Sequence, residues 1–215
     1  MSHVDYPIDG RVEYSQLMKA SAGLSDEKVS HWLWNELAYE ACDAYVRLTP
    51  RRTDIVRIQP GPFEYVYDDY ASLEAQGLVP HHPKMEARLV LAVGRSIPRM
   101  PKRDDARLRN WAGPSLKNDY GPGWDRGHFI AYSIGGIVDQ FEFNVFVQRR
   151  SLNRGWKSHP QGRLYRTMEA YCAANVGTFC FSRPIYCDET AKPTYVDFGV
   201  LKSDGELWVE SFDNQ

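Results

Sequence analysis

No stretch of the 215-residue chain approaches the run of about 20 apolar residues needed to cross a bilayer. Met1 to Gly10 has neither the basic start nor the apolar segment of a secretory signal. Both absences predict a soluble chain without a Sec-type signal, either cytoplasmic or exported by a dedicated secretion system. Cysteine is scarce. Cys42, Cys172, Cys180 and Cys187 form no close metal-binding pair and are too few for a dense disulfide framework. Thiols are therefore expected, although the even number permits bridges and some turns would bring Cys180 and Cys187 face to face. No internal repeat or low-complexity tract is present, and 43% hydrophobic content suffices for one sizeable core.

Net charge is also nearly absent, at −2, but its distribution is uneven. Residues 1–80 carry 7 basic against 13 acidic residues, 81–170 carry 16 against 8, and 171–215 carry 3 against 7. A central basic block between acidic flanks is what a phosphate-binding surface requires, though clusters of this size also occur as solvated faces.

Secondary structure reads from periodicity. Ser25 is placed to cap a helix from Asp26 to about Leu48, with Val29, Leu33, Leu37, Ala41 and Tyr45 as its apolar stripe. Trp32 and Trp34 flank that stripe as packing residues. Short strands are expected at 55–58 and 63–67 between prolines, and a buried strand at 88–93. A basic, proline-containing stretch from Arg95 to Arg109 reads as a substrate-facing loop. Further strands are expected from His128 onward, at 141–148, 178–186, 194–201 and 206–209, with a helix over 161–174 and a turn at Ser203-Asp204-Gly205. Asp68-Asp69 and His81-His82 read as solvent-facing pairs.

The chemistry concentrates in Asp125-Arg126-Gly127-His128, followed by Asn144, Gln148, Asn153 and Trp156. Phosphodiester hydrolysis at neutral pH needs a base to activate water and a cation to absorb phosphoryl charge. An imidazole, neutral near physiological pH, supplies the first, and an amide oxygen suited to a hard divalent cation supplies a seat for the second. A four-residue match arises by chance in a chain this long at roughly one in a thousand, so the downstream residues matter.

Asp125-Arg126-Gly127-His128 with Asn144, Gln148 and Leu152-Asn153-Arg154-Gly155-Trp156 resembles the DNA/RNA non-specific endonuclease family, the DRGH-motif nucleases. The likeness spans roughly residues 85 to 202, and Arg109-Asn110-Trp111 is similar to the arginine segment that precedes the tetrad in some members. The resemblance implies an α+β fold with a ββα-metal (His-Me finger) core built on an antiparallel sheet. It implies His128 as general base, Arg126 and Arg109 as phosphate clamps, and Asn144 as a residue that orients the site or contacts phosphate. Asn153 would hold Mg2+, or Mn2+ or another divalent cation, and Glu169 would hold a metal-bound water. Asp125 braces the turn. The segment from Lys157 to Gly162 looks longer than in such nucleases, which puts Glu169 in question, and His159 within it reads as a loop residue.

Two parts are therefore expected: an N-terminal helical extension, 1–80, packed on an endonuclease domain, 81–215. The implied activity is metal-dependent cleavage of DNA and RNA with little sequence preference, leaving a 5'-phosphate. A catalytically silent nucleic-acid-binding module is the alternative, and a phosphodiesterase of small nucleotides is a third reading that the basic block disfavours. A toxin role would require a neutralising immunity protein; repair is the competing biology.

Overall fold

The stripe at 29, 33, 37, 41 and 45 folds as expected into one long helix. In the computed structural model, which describes residues 7–81, 87–99, 120–137 and 144–215, a short helix α1 (Tyr14–Ala20) leads to α2 (Asp26–Leu48). Leu33, Leu37, Ala41 and Tyr45 are buried. Ser25 stands at the N-cap with extended backbone, but its hydroxyl makes no capping bond.

Next come β1 (Ile55–Ile58), β2 (Phe63–Asp68), a short helix α3 (Tyr70–Ala75) and β3 (Arg88–Arg95). After β3 the chain builds β4 (Trp124–His128), β5 (Val145–Arg149), α4 (Arg150–Arg154) and α5 (Pro160–Ala174). It ends with β6 (Phe179–Ile185), β7 (Tyr195–Leu201) and β8 (Leu207–Asp213). Strands β1-β2-β3-β6-β7-β8 form one antiparallel sheet in that order, and β4 pairs with β5 in a separate two-stranded sheet.

The large sheet is covered on both faces, so its strands read as near-continuous apolar runs. On one face Val66, Leu91, Val93, Phe179 and Phe181 meet α2. On the other, Phe63, Tyr65, Leu89, Cys180, Val196, Phe198 and Val200 meet Phe129, Ile130, Ile134 and Phe146 from the β4–β5 unit, Leu152 of α4, and Tyr165 and Met168 of α5. Alternation along β6 and β7 sorts the two sets, as the strand period of 2 requires. A register shift at Val66/Tyr67 accommodates the extra residue on β3. The result is an α+β fold of three layers, with the ββα unit packed across the sheet from α2.

Several expectations are corrected. β1 and β2 belong to the same sheet as β3, so residues 55–68 are part of the central architecture and a boundary at residue 80 cuts through it. Even the helical segment is tied in: Tyr14 donates to Asp197 (2.6 Å) on β7, and Arg183 on β6 donates to the Gly10 carbonyl. Asp68 is fully buried, accepting from Tyr45 (2.7 Å), Arg51 (2.7 Å) and the Asp54 amide (2.8 Å), while Asp69 caps α3 through the Ser72 amide. His81 is exposed, as expected of a surface residue, and pairs with Glu74 at 2.5 Å; His82 lies outside the described residues. The strand expected to begin near His128 instead ends there, because Phe129 and Ile130 turn into the core ahead of a 3-10 turn, Tyr132–Ile134. All four cysteines are thiols. Cys180 lies within β6 and Cys187 beyond its far end; at about 3.3 Å per residue the two are too distant to bridge.

Candidate active site

The strand pair β4–β5 followed directly by α4 forms a ββα unit. Its register sets Asp125 opposite Gln148, Gly127 opposite Phe146 and His128 opposite Val145. Gly127 is required for a steric reason: a Cβ there would lie 2.4 Å from Gln148 Cβ and 2.1 Å from Gln148 Oε1. With no side chain at 127, Gln148 lies across β4. The Tyr165 hydroxyl donates to the His128 carbonyl at 3.3 Å, anchoring the end of the strand to α5.

Asp125 clamps α4 to β4. Its carboxylate accepts from Arg150 Nε (3.0 Å), Arg154 Nε (2.7 Å) and Asn153 Nδ2 (3.3 Å), which ties both ends of this five-residue helix to β4. Burial alone would raise its pKa, but the hydrogen bonds from Arg154, Arg150 and Asn153 outweigh it and hold the carboxyl below its ordinary value. Donating through Nδ2 to Asp125 fixes the Asn153 amide, so that its carbonyl oxygen points the other way, toward Arg166.

Asn144 does not line the cleft. It is fully buried, accepting from the Ile130 amide (2.9 Å) and donating to the carbonyls of Ile130 (3.0 Å) and Ile137 (2.9 Å). Every polar atom of that side chain is spent on the backbone that follows His128. A phosphate contact by Asn144 is therefore replaced by a structural hold on this loop. Arg109 lies outside the described residues.

The helix α5 brings the remaining groups. Gly155 ends α4 in the left-handed region (φ 58°), and a Cβ on Gly162 would meet the Ser151 carbonyl at 2.4 Å and Gly155 Cα at 3.2 Å. Glycine at both positions lets the start of α5 press against α4, and the 157–162 segment runs from the turn between them into the first residues of α5. His159 is the N-cap of α5: its Nδ1 accepts from the Gly162 amide at 3.0 Å. Burial, followed by the nearby Arg149 charge, lowers its pKa. Glu169 is buried on the inner side of α5, not on an exposed face. Desolvation raises its pKa against the opposing pull of Arg166.

These elements enclose a cleft of about 440 Å³ lined by Arg126, His128, Gln148, Asn153 and Glu169, with Arg99, Tyr132, Ser133 and Arg166. Arg99, whose guanidinium lies 5.3 Å from the Tyr132 ring centroid, and Arg166 were not singled out by the sequence. The Arg166–Glu169 spacing of three residues, one turn of helix, was the available signal for the latter. Three arginines against one carboxylate make the lining positive.

Among the described residues no group of three His, Cys, Asp or Glu side chains is placed to hold an ion. The cleft does offer two hard oxygen donors facing one cation. Arg166 Nη1 lies 2.6 Å from Glu169 Oε2, and Nη2 lies 3.3 Å from Asn153 Oδ1 and also bonds the Asn153 carbonyl. A guanidinium thus stands where a metal would find an amide oxygen and a carboxylate. That donor set fits Mg2+ or a similar ion, which keeps several of its waters.

No family model matches the chain, and no curated protein sequence matches it. Solved structures similar to it include NucA from Streptococcus agalactiae with magnesium ion bound, at 16% identity and a TM-score of 0.41, over 78% of this chain and 73% of that one. The Sda1 nuclease with bound zinc is similar at 13% identity and a TM-score of 0.37, over 76% and 74%. An extracellular endonuclease is similar at 14% identity and a TM-score of 0.36, over 76% and 79%.

Proposed function

We propose that this chain is a divalent-metal-dependent nuclease that hydrolyses phosphodiester bonds in DNA and RNA with little sequence preference. The observation that carries the reading is the shared cleft: His128, Arg126, Asn153 and Glu169, drawn from a strand and two helices, line one positively charged hollow. The sequence resemblance of the Asp125-to-Trp156 region supports the same reading.

His128 accepts the proton of an attacking water, since a neutral imidazole at the cleft wall is a competent base near neutral pH. Arg126 donates to the non-bridging phosphoryl oxygens, with bidentate geometry that suits phosphate and a positive charge that grows more valuable as the transition state forms. Asn153 and Glu169 would hold the cation, directly or through its waters, and the ion would supply charge neutralisation at the phosphoryl group and the leaving 3' oxygen. Asp125 and Asn144 position these groups, one by fixing α4 and the other by fixing the backbone after His128. Among the described residues the cleft presents arginines suited to phosphate, and phosphate contacts carry no base code, which supports a reading of weak sequence preference.

The test is nicking of plasmid DNA and degradation of single-stranded RNA by the full chain in Mg2+, with EDTA and His128→Ala controls. Activity should require the metal and fall by roughly a hundredfold or more in the variant. A His128→Ala protein that is folded and cleaves at the parent rate refutes the mechanism. Binding of both nucleic acids without cleavage by the parent would instead identify a silent binding module.

A further inference from the structure

Arg166 engages the two oxygen donors of the cleft together. Its Nη1 is 2.6 Å from Glu169 Oε2, and its Nη2 holds Asn153 Oδ1 at 3.3 Å along with the Asn153 carbonyl. The side chain reaches them by crossing Gly155, where a Cβ would stand 2.6 Å from Arg166 Cγ. We infer that Arg166 is a resident cation that closes the Asn153–Glu169 pair when no metal is bound and must leave both oxygens for an ion to enter, so that it sets metal affinity by competition.

The inference rests on the reading of the cleft as a metal site, and three physical points carry it further. First, the same lone pairs cannot serve both cations. A magnesium-type ion needs its oxygens at about 2.0–2.1 Å, and a guanidinium at hydrogen-bond distance from the same atoms would sit against it with like charge. Second, Glu169 is only 8% exposed at its side chain. A carboxylate this buried needs a donor for its lone pairs in place of the water it has lost, and Arg166 fills that role at 2.6 Å before any metal arrives. Third, the Arg166 side chain is 45% exposed, so it has an open route out of the pair, whereas Glu169 and Asn153 are held in place by packing and by Asp125.

This arrangement gives the metal-free Asn153–Glu169 pair an ordered, charge-compensated form and makes the first metal contact an exchange of one cation for another. Arg166, once displaced, remains on the cleft wall with Arg99 and Arg126, available to the phosphates of a bound strand.

The test is calorimetric titration of Mn2+ into the full chain and into Arg166→Gln, Arg166→Lys and Asn153→Ala. Arg166→Gln removes the competitor and should bind Mn2+ roughly five- to thirtyfold more tightly than the parent, the factor expected for losing one partly buried ion pair. Arg166→Lys keeps a charge near Glu169 but lacks the planar fork needed to span both oxygens, and should bind with intermediate affinity. Asn153→Ala should lose most of its binding. In EDTA the Arg166→Gln protein should melt below the parent, and Mn2+ should raise its melting temperature by more than it raises the parent's. Tighter binding cannot come from general damage to the fold. Equal or weaker Mn2+ binding by the folded Gln and Lys variants, with Asn153 still required, would overturn the competition while leaving the metal site intact. If parent and Arg166→Gln both bind no Mn2+, the metal reading itself fails and the inference falls with it.

Discussion

The Asp125→Asn substitution isolates what the first residue of the tetrad does. In the fold its carboxylate receives Arg150, Arg154 and Asn153, three side chains of one helix. An asparagine keeps the volume and one acceptor but loses the charge and the second acceptor. The partly buried Arg150 pair sets the scale, since hydrogen bonds to a charged group are worth about 1.5–3 kcal/mol and the amide recovers part of that. A loss of about 1–2 kcal/mol is expected, the solvated Arg154 adding little. For a chain of this size that lowers the melting temperature by roughly 2–8 °C. The pH dependence is the sharper signature. Against the burial that would raise it, the hydrogen-bond donors hold the Asp125 carboxyl below its ordinary value. A carboxyl depressed in the fold stabilises fully above its unfolded value of about 3.9, and that stabilisation is lost as pH falls through the folded value. Urea melts of both proteins should therefore differ by a constant amount from pH 7 to 5 and converge below about pH 4. Cleavage should drop roughly tenfold or more between pH 5 and 7, where Asp125 is ionised in the parent, because Asn153 loses the bond that fixes its amide. Equal stability at pH 7, or a difference that persists undiminished at pH 3, would refute the clamp.

Three further outcomes follow from the same geometry. Gly127→Ala forces a methyl to within 2.4 Å of Gln148 Cβ, so it should cost about 1–3 kcal/mol and displace the strand that carries His128, read as a lower melting temperature with loss of cleavage. Asn144→Ala strands the Ile130 amide and the Ile130 and Ile137 carbonyls, and should destabilise by about 2–4 kcal/mol; Asn144→Asp, which keeps the acceptor but not the donors, should recover only part of this in denaturant melts. His159, with its pKa lowered in the fold by burial and then Arg149, contributes stability that is full above its unfolded value of about 6.5 and is lost as pH falls through the lower folded value. His159→Asn, a cap that does not titrate in this range, should lose less stability than the parent between pH 7.5 and 5, and an identical pH profile for the two proteins would rule this out.

The elements legible from the sequence were those whose own pattern decides them. The four-residue stripe of α2 needs only one buried face, and the β7 and β8 segments are separated by a turn with a clear glycine signal, Ser203-Asp204-Gly205, where Gly205 has a φ of 82°. Illegible were the features set by distant partners. Nothing local to 55–68 indicates that β2 pairs with β3 across the 19 residues between them, so the two strands there read as short pieces between prolines instead of the interior of a sheet. Asp68 read as solvent-facing for the same reason: its three donors, at positions 45, 51 and 54, come from separate stretches of chain. His128 read as the start of a strand because Phe129 and Ile130 are good strand formers, but burying them against Phe146 and Tyr165 on the sheet face requires the chain to turn.

The cleft divides along the same line. Arg126, His128 and Asn153 were found because they lie on or beside a motif in which chemistry and spacing coincide. Glu169 is not legible in the same way because distance along the chain is a poor guide to distance in space, and the six residues from 157 to 162 lengthen only the first. What governs the second is the contact between Gly155 and Gly162, where any side chain would hold α5 away from α4. With those helix ends pressed together, a Glu two turns into α5 reaches the cleft whatever the length of the turn. The same contact explains why Arg166 went unnoticed: only when α5 lies against α4 does a residue three positions before Glu169 cross Gly155 to reach Asn153. The two glycines therefore decide whether the pair of oxygen donors exists at all, and a side chain at either would separate Asn153 from Glu169 without altering a single residue of the cleft.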